Sequence, residues 1–285
     1  MSPIKEPSYF SLEMRPENFA PVYRPHAYRR IEETREFLRG PMNPPIAAGI
    51  VTTWEDYLCL FSAAENHRAV GEASVGYMVS PYAAEAIASR IPEAKILIVL
   101  RSPVDRAFSH YLYMVSEGLT TKSFRQHVRA CLRHCGEGLG IHEPFLEMGS
   151  YAAQVQRYLD RFARDQVRIW IYEEYLDRPR ELLREIFRFL GVQDGFEPDM
   201  SIRYHQPRIP KMVRSARALK WARMAAFPRK ALPAQVRAAV RNVFYNSPGA
   251  VKMNTADRAL MLEFYSSDVR KLEKVLNRDL SRWLQ

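Results

Sequence analysis

Lys95-Ile96-Leu97-Ile98-Val99-Leu100-Arg101-Ser102-Pro103-Val104-Asp105-Arg106-Ala107-Phe108-Ser109-His110-Tyr111 is the stretch that decides the fold. Five apolar residues, Ile96 to Leu100, stand between charges, the pattern of a strand buried within a parallel sheet. Ser102-Pro103-Val104-Asp105 then opens a helix. Serine suits the N-cap, proline suits the first helical position, and Asp105 completes a capping box. Val104, Phe108, Tyr111 and Val115 recur at helical spacing and predict that helix's buried face. Ser109 falls on the other side, in line with Ser102 and Asp105. A strand that stops on an arginine and runs into a capped helix predicts an anion site. Free N–H groups at the helix start and the Arg101 cation then share the carboxyl edge of the sheet. Taken singly, such a pair is more often a surface arginine and a solvated serine.

Working outward, strand and helix patterns alternate and predict an α/β fold with a parallel sheet flanked by helices. Upstream, helices are expected over 28–38, from a Thr53 cap to about Ala64, and from Ser80-Pro81 to Arg90. Val70–Val75 reads as a strand end plus turn. Downstream, helices are expected over 123–135 and 151–162, a strand over 167–172, and a helix ending at Phe189-Leu190-Gly191. A last helix spans 255–284. Nothing calls for a second domain, so residues 1–285 read as one.

Of the 285 residues 47% are hydrophobic and 26% charged, enough for a large core and too apolar for disorder. The net charge of +10 suits an anionic cofactor, nucleic acid or an acidic membrane surface without choosing among them. Cys59, Cys131 and Cys135, an odd set, predict reduced thiols rather than a disulfide framework. No apolar run approaches the roughly 20 residues that span a bilayer, and no signal-peptide pattern opens the chain. A cytoplasmic location is the expectation. His127, Cys131 and Cys135 stand at four-residue steps with His134 beside them, residue types that bind zinc. Such sets usually pair two short spacings across a turn, so core thiols are the favoured reading and no metal is expected.

The string Leu100 to Tyr111 resembles the 3′-phosphate-binding segment of sulfotransferases that use 3′-phosphoadenosine 5′-phosphosulfate (PAPS). The resemblance implies that Arg101 and Ser109 bind the 3′-phosphate. Lys5-Glu6-Pro7-Ser8-Tyr9-Phe10 resembles a second signature of the family, whose glutamate is the general base in heparan-sulfate-type members. Glu6 is then the implied base, with Lys5 beside it on the acceptor side; a carboxylate next to Tyr9 and Phe10 is open to a raised pKa. Gly71-Glu72-Ala73-Ser74 resembles a segment near the acceptor pocket, which implies an acceptor contact for Glu72. Heparan-type members carry a lysine where Ala73 stands. Tyr172-Glu173-Glu174-Tyr175-Leu176 resembles a further signature, and Tyr172 is the implied partner of the adenine, with a core tyrosine as the rival reading.

In the loop Tyr204-His-Gln-Pro-Arg208-Ile-Pro-Lys211, Arg208 and Lys211 are weaker cofactor candidates, at the place where the family closes a lid. The implied fold is the P-loop nucleotide-kinase-like sulfotransferase fold. The family's Lys-Gly-Thr phosphosulfate loop precedes the Lys-Glu-Pro signature, so the sequence is expected to lack that first strand and loop. The implied reaction moves a sulfuryl group from PAPS to a hydroxyl or amine of a glycan, lipid or small molecule and leaves adenosine 3′,5′-bisphosphate. Arginine, lysine and helix N-termini supply the positive charge that a metal would otherwise bring.

Two other readings are weighed beside it. One is an inactive scaffold of the same fold that binds a nucleotide or rests on acidic lipid through the basic amphipathic stretch 212–230. The other is a nucleic-acid binder, for which no zinc finger, aromatic RNA signature or patterned basic helix speaks.

Overall fold

A computed structural model describes residues 1–19, 21, 24–64, 66–133, 145–199 and 251–285. At its centre β1 (Ile96–Leu100) pairs in parallel with β2 (Val167–Ile171), Ile96 opposite Val167 and Leu100 opposite Ile171. Ile98 and Leu100 are buried, but Leu97 and Val99 are 40% and 54% exposed. The unbroken apolar run predicted cover on both faces; among the described residues β1 is covered on one.

The helices in chain order are α1 (Arg24–Arg39), α2 (Trp54–Cys59), α3 (Gly76–Val79) and α4 (Ala83–Arg90). Then come α5 (Pro103–Ser116), α6 (Phe124–Arg133), α7 (Tyr151–Leu159), α8 (Tyr172–Asp177), α9 (Pro179–Leu190) and α10 (Thr255–Leu276). The predicted face of α5 is buried at Val104, Tyr111 and Val115, with Phe108 packed beside them. Caps set several starts. Thr53 accepts the Asp56 N–H, Ser80 accepts those of Tyr82 and Ala83, and Ser123 and Gln126 cap each other reciprocally.

Several boundaries differ from expectation, three of them in kind rather than by a few residues. The helix begun at Thr53 ends at Cys59 and resumes only as a 3-10 turn over Ser62–Ala64. The last helix stops at Asn277, whose φ of 49° is left-handed, and a separate 3-10 turn spans Ser281–Leu284. Residues 70–75 form no strand. They are a loop tied to the amino-terminal segment, with Ser2 N–H donating to the Gly71 carbonyl at 2.9 Å.

That amino-terminal segment runs beside residues 46–51. Lys5 donates to the Ile46 carbonyl, Gly49 to that of Glu6, and Val51 to that of Pro7. On the opposite side α10 lies on α7 and α5. Tyr265, 1% exposed, donates its hydroxyl to the Leu146 carbonyl at 2.8 Å. A Cβ at Gly149 would stand 2.8 Å from the Tyr265 ring, so only glycine lets that ring seat. Among the described residues no helix is long and apolar enough to cross a membrane.

Candidate functional site

The parallel register places the residues that follow the two strands side by side. Leu100 lies opposite Ile171, so Arg101 and Tyr172 both emerge at the carboxyl edge. The Arg101 guanidinium carbon sits 5.2 Å from the centre of the Tyr172 ring, in reach of a cation–π contact. Arg101 has no carboxylate partner among the described residues, so its hydrogen-bonding edge is left for an anion. Ser109 is half-buried two turns along α5, and its hydroxyl has no hydrogen-bond partner among the described residues. Tyr172 turns one ring face to Arg101 and has Tyr175 at 6.1 Å.

The start of α5 departs from the reading of free N–H groups. Ser102 N–H donates to Glu173 Oε1 at 3.0 Å, and Glu173 Oε2 accepts from the Trp283 indole at 3.3 Å. Only half of the expected capping box forms. Ser102 Oγ accepts from the Asp105 N–H, but the Asp105 carboxylate pairs with Arg258 at 3.0 Å instead of reaching back. An internal carboxylate therefore stands where a ligand anion was expected.

The second cluster assembles three separate segments. Glu72 accepts from Ser74 Oγ at 2.9 Å and is hydrogen-bonded to Tyr77. Ser74 Oγ in turn accepts the Ser8 N–H at 3.1 Å, and Tyr77 Oη accepts that of Phe10 at 3.3 Å. The network thus fastens the loop that carries Glu6. Burial pushes the Glu72 carboxyl above its usual range and the neighbouring Glu6 adds to the rise, against the hydrogen bonds from Tyr77 and Ser74. Burial first, then Glu72, raises the Tyr57 phenol too. Tyr9 stacks on Tyr57 at 4.9 Å and Trp54 on Tyr57 at 5.3 Å, walling one side. Lys5 is exposed, with no ion-pair partner among the described residues.

Helix α7 spans the two clusters. At its start the Tyr151 hydroxyl is hydrogen-bonded by the Arg101 backbone, and near its end Tyr158 donates to the Tyr77 carbonyl at 2.9 Å. These tyrosines are seven residues apart on one helix face, about 10 Å along the axis at 1.5 Å per residue.

The structure thus brings Arg101 together with Tyr172, and Glu6 with Glu72. Ser74, Tyr77, Tyr158, Glu173 and Trp283 enter from contacts that no local pattern announced. Arg208, Lys211, His134, Cys135 and the stretch 212–230 lie outside the described residues. His127 Nε2 and Cys131 Sγ are 3.8 Å apart, and burial raises the Cys131 thiol. Among the described residues no group of three or more side chains is arranged to hold a metal.

A family model described as "Sulfotransferase domain" matches residues 45–220. The chain belongs to the sulfotransferase domain family. A crystal structure of a sulfotransferase from Alicyclobacillus acidocaldarius superposes with a TM-score of 0.67 at 30% identity, over all of this chain and 87% of that one. The fold is the α/β sulfotransferase fold. Among curated relatives, human bifunctional heparan sulfate N-deacetylase/N-sulfotransferase 3 is 32% identical over 124 residues, 42% of this chain and 14% of its own length. Rat carbohydrate sulfotransferase 15 is 28% identical over 116 residues, 35% of this chain and 21% of its own. The chain spans about a fifth or less of the length of these relatives. The matched span holds Glu72, Arg101, Ser109 and Tyr172; Lys5 and Glu6 precede it.

Proposed function

We propose that this sulfotransferase-family chain transfers a sulfuryl group from PAPS to a hydroxyl or amine of its acceptor. The observation that carries the reading is Arg101, held over Tyr172 at the carboxyl edge, without a carboxylate partner among the described residues and directly after the strand that feeds Ser109's helix. A guanidinium and a hydroxyl are the donor set a ribose-borne phosphate needs. In the reaction a bond forms between the acceptor oxygen or nitrogen and sulfur, and the sulfur–oxygen bond to the nucleotide breaks. Adenosine 3′,5′-bisphosphate leaves, and the acceptor proton passes to Glu6.

Glu6 takes that role because its loop is fixed by the Ser74 and Tyr77 hydrogen bonds, and because Glu72 beside it holds a proton to higher pH than an ordinary carboxyl. Lys5, exposed beside Glu6, and Glu72 are the side chains an acceptor meets. Two relatives are named for carbohydrate and heparan sulfate, which makes a carbohydrate the first acceptor class to test.

The test pairs calorimetry, using adenosine 3′,5′-bisphosphate, with transfer of radiolabelled sulfate from PAPS to desulfated glycosaminoglycan and small-alcohol acceptors. Saturable binding with label transfer is expected. Binding without transfer to any acceptor would leave a nucleotide-binding scaffold, and absence of binding would remove the reading.

A further inference from the structure

The start of α5 already holds an anion. Glu173 is bonded by the Ser102 N–H and the Trp283 indole N–H, both uncharged donors. It has no cationic ion-pair partner among the described residues, whereas its neighbour Glu174 is paired with Arg278. Among the described residues the Glu173 charge is therefore left standing, one residue on from Tyr172 and bonded to the residue after Arg101. Its place is fixed as well. Trp283 is 3% exposed and lies against the Tyr151 ring at 6.2 Å. Arg258 joins the Asp105 carboxylate to the Gln285 carbonyl, each at 3.0 Å, and fastens the segment after α10 to the first turn of α5 at a second point.

We infer that Glu173 is an affinity-setting residue of the nucleotide site: its carboxylate takes the helix-start position that a phosphate would otherwise occupy, and it repels the phosphate beside Arg101. The inference rests on Arg101 being the phosphate clamp proposed above. A helix start attracts a single anion through its first N–H groups, and here the first of these is filled. Phosphate is thereby confined to the Arg101 and Ser109 side, and the bisphosphate product is held loosely enough to leave. A unit negative charge about 4 Å from an anion changes its affinity by about fivefold in water-like surroundings, the lower bound for a site at the protein surface. A purely structural cap predicts otherwise, since glutamine accepts an N–H bond as glutamate does and carries no charge.

The test is calorimetry on the full chain with adenosine 3′,5′-bisphosphate and, separately, with uncharged adenosine. Glu173→Gln is expected to bind the bisphosphate about fivefold more tightly, to leave adenosine unchanged, and to lose most of that gain in high salt. Trp283→Phe keeps the ring against Tyr151 but removes the indole N–H that partly neutralises one carboxylate oxygen. It is expected to weaken bisphosphate binding about twofold, and to add nothing in the Glu173→Gln background. If the wild type binds and Glu173→Gln binds no more tightly, or tightens adenosine equally, the inference is overturned and the clamp stands. If Glu173→Gln does not fold, unchanged bisphosphate affinity in Trp283→Phe overturns it instead. A wild type that ignores the bisphosphate overturns clamp and inference together.

Discussion

The two ends of α7 meet clusters of opposite construction. At the Tyr151 end the groups come from residues that directly follow two paired strands, and the register alone sets Arg101 beside Tyr172. At the Tyr158 end Glu6, Tyr57, Glu72, Ser74 and Tyr77 come from three loop-joined segments, two tied by side-chain hydrogen bonds and the third by Tyr57 stacking on Tyr9. The first cluster is placed by backbone pairing. The second is placed by side-chain contacts, so single substitutions should affect the two ends in different observables.

The largest effect is expected at the acid end. Glu6→Gln should lower sulfate transfer at least 100-fold, the usual worth of a positioned base, while bisphosphate affinity stays within twofold. Equal turnover would move the base elsewhere. At the other end Arg101→Ala should weaken bisphosphate binding about thirtyfold, or about 2 kcal/mol for a lost charge-assisted pair, with little change in melting temperature. A stability loss with intact affinity would make Arg101 a structural residue.

Ser74→Ala is a finer probe of the contrast. It removes the acceptor of the Ser8 N–H and a donor to Glu72, and should cost about 1–2 kcal/mol of stability in chemical denaturation. Transfer should fall as Glu6 loosens, with bisphosphate binding unmoved. An equal fall in nucleotide affinity would show that the ends are one unit.

The smallest effect is on pH dependence. Glu72 binds its proton more tightly folded than unfolded, so stability is greatest below the ordinary carboxylate pKa and falls as pH rises through the raised value. Melting temperature measured from pH 4 upward should decline less in Glu72→Gln than in the wild type. Parallel curves would remove the raised pKa from the account.

The same contrast explains what could be read from the residues alone. Strand, cap, proline start and buried face of α5 are local, each decided within about a turn, and all appear in the structure. The place of Arg101 was legible because a strand end and a helix start are consecutive in the chain. Glu173 was not, since its partners lie 71 and 110 residues away, and nothing local says that a carboxylate after β2 will reach back to the start of α5. Val70–Val75 was misread because a hexapeptide with a valine at each end looks like a strand end, whereas its partners are the Ser2 and Ser8 backbones. The one-piece last helix failed at Asn277, a residue type that tolerates left-handed backbone and so ends helices without glycine.

The account stands most directly on which phosphate the carboxyl edge reads. The decisive measurement is the ratio of affinities for adenosine 3′,5′-bisphosphate and adenosine 5′-monophosphate, taken on the wild type and on Arg101→Ala under one salt condition. A wild-type preference of about tenfold or more for the bisphosphate, collapsing toward unity in Arg101→Ala, is the predicted result. A preference that is missing in the wild type, or survives loss of the guanidinium, contradicts it.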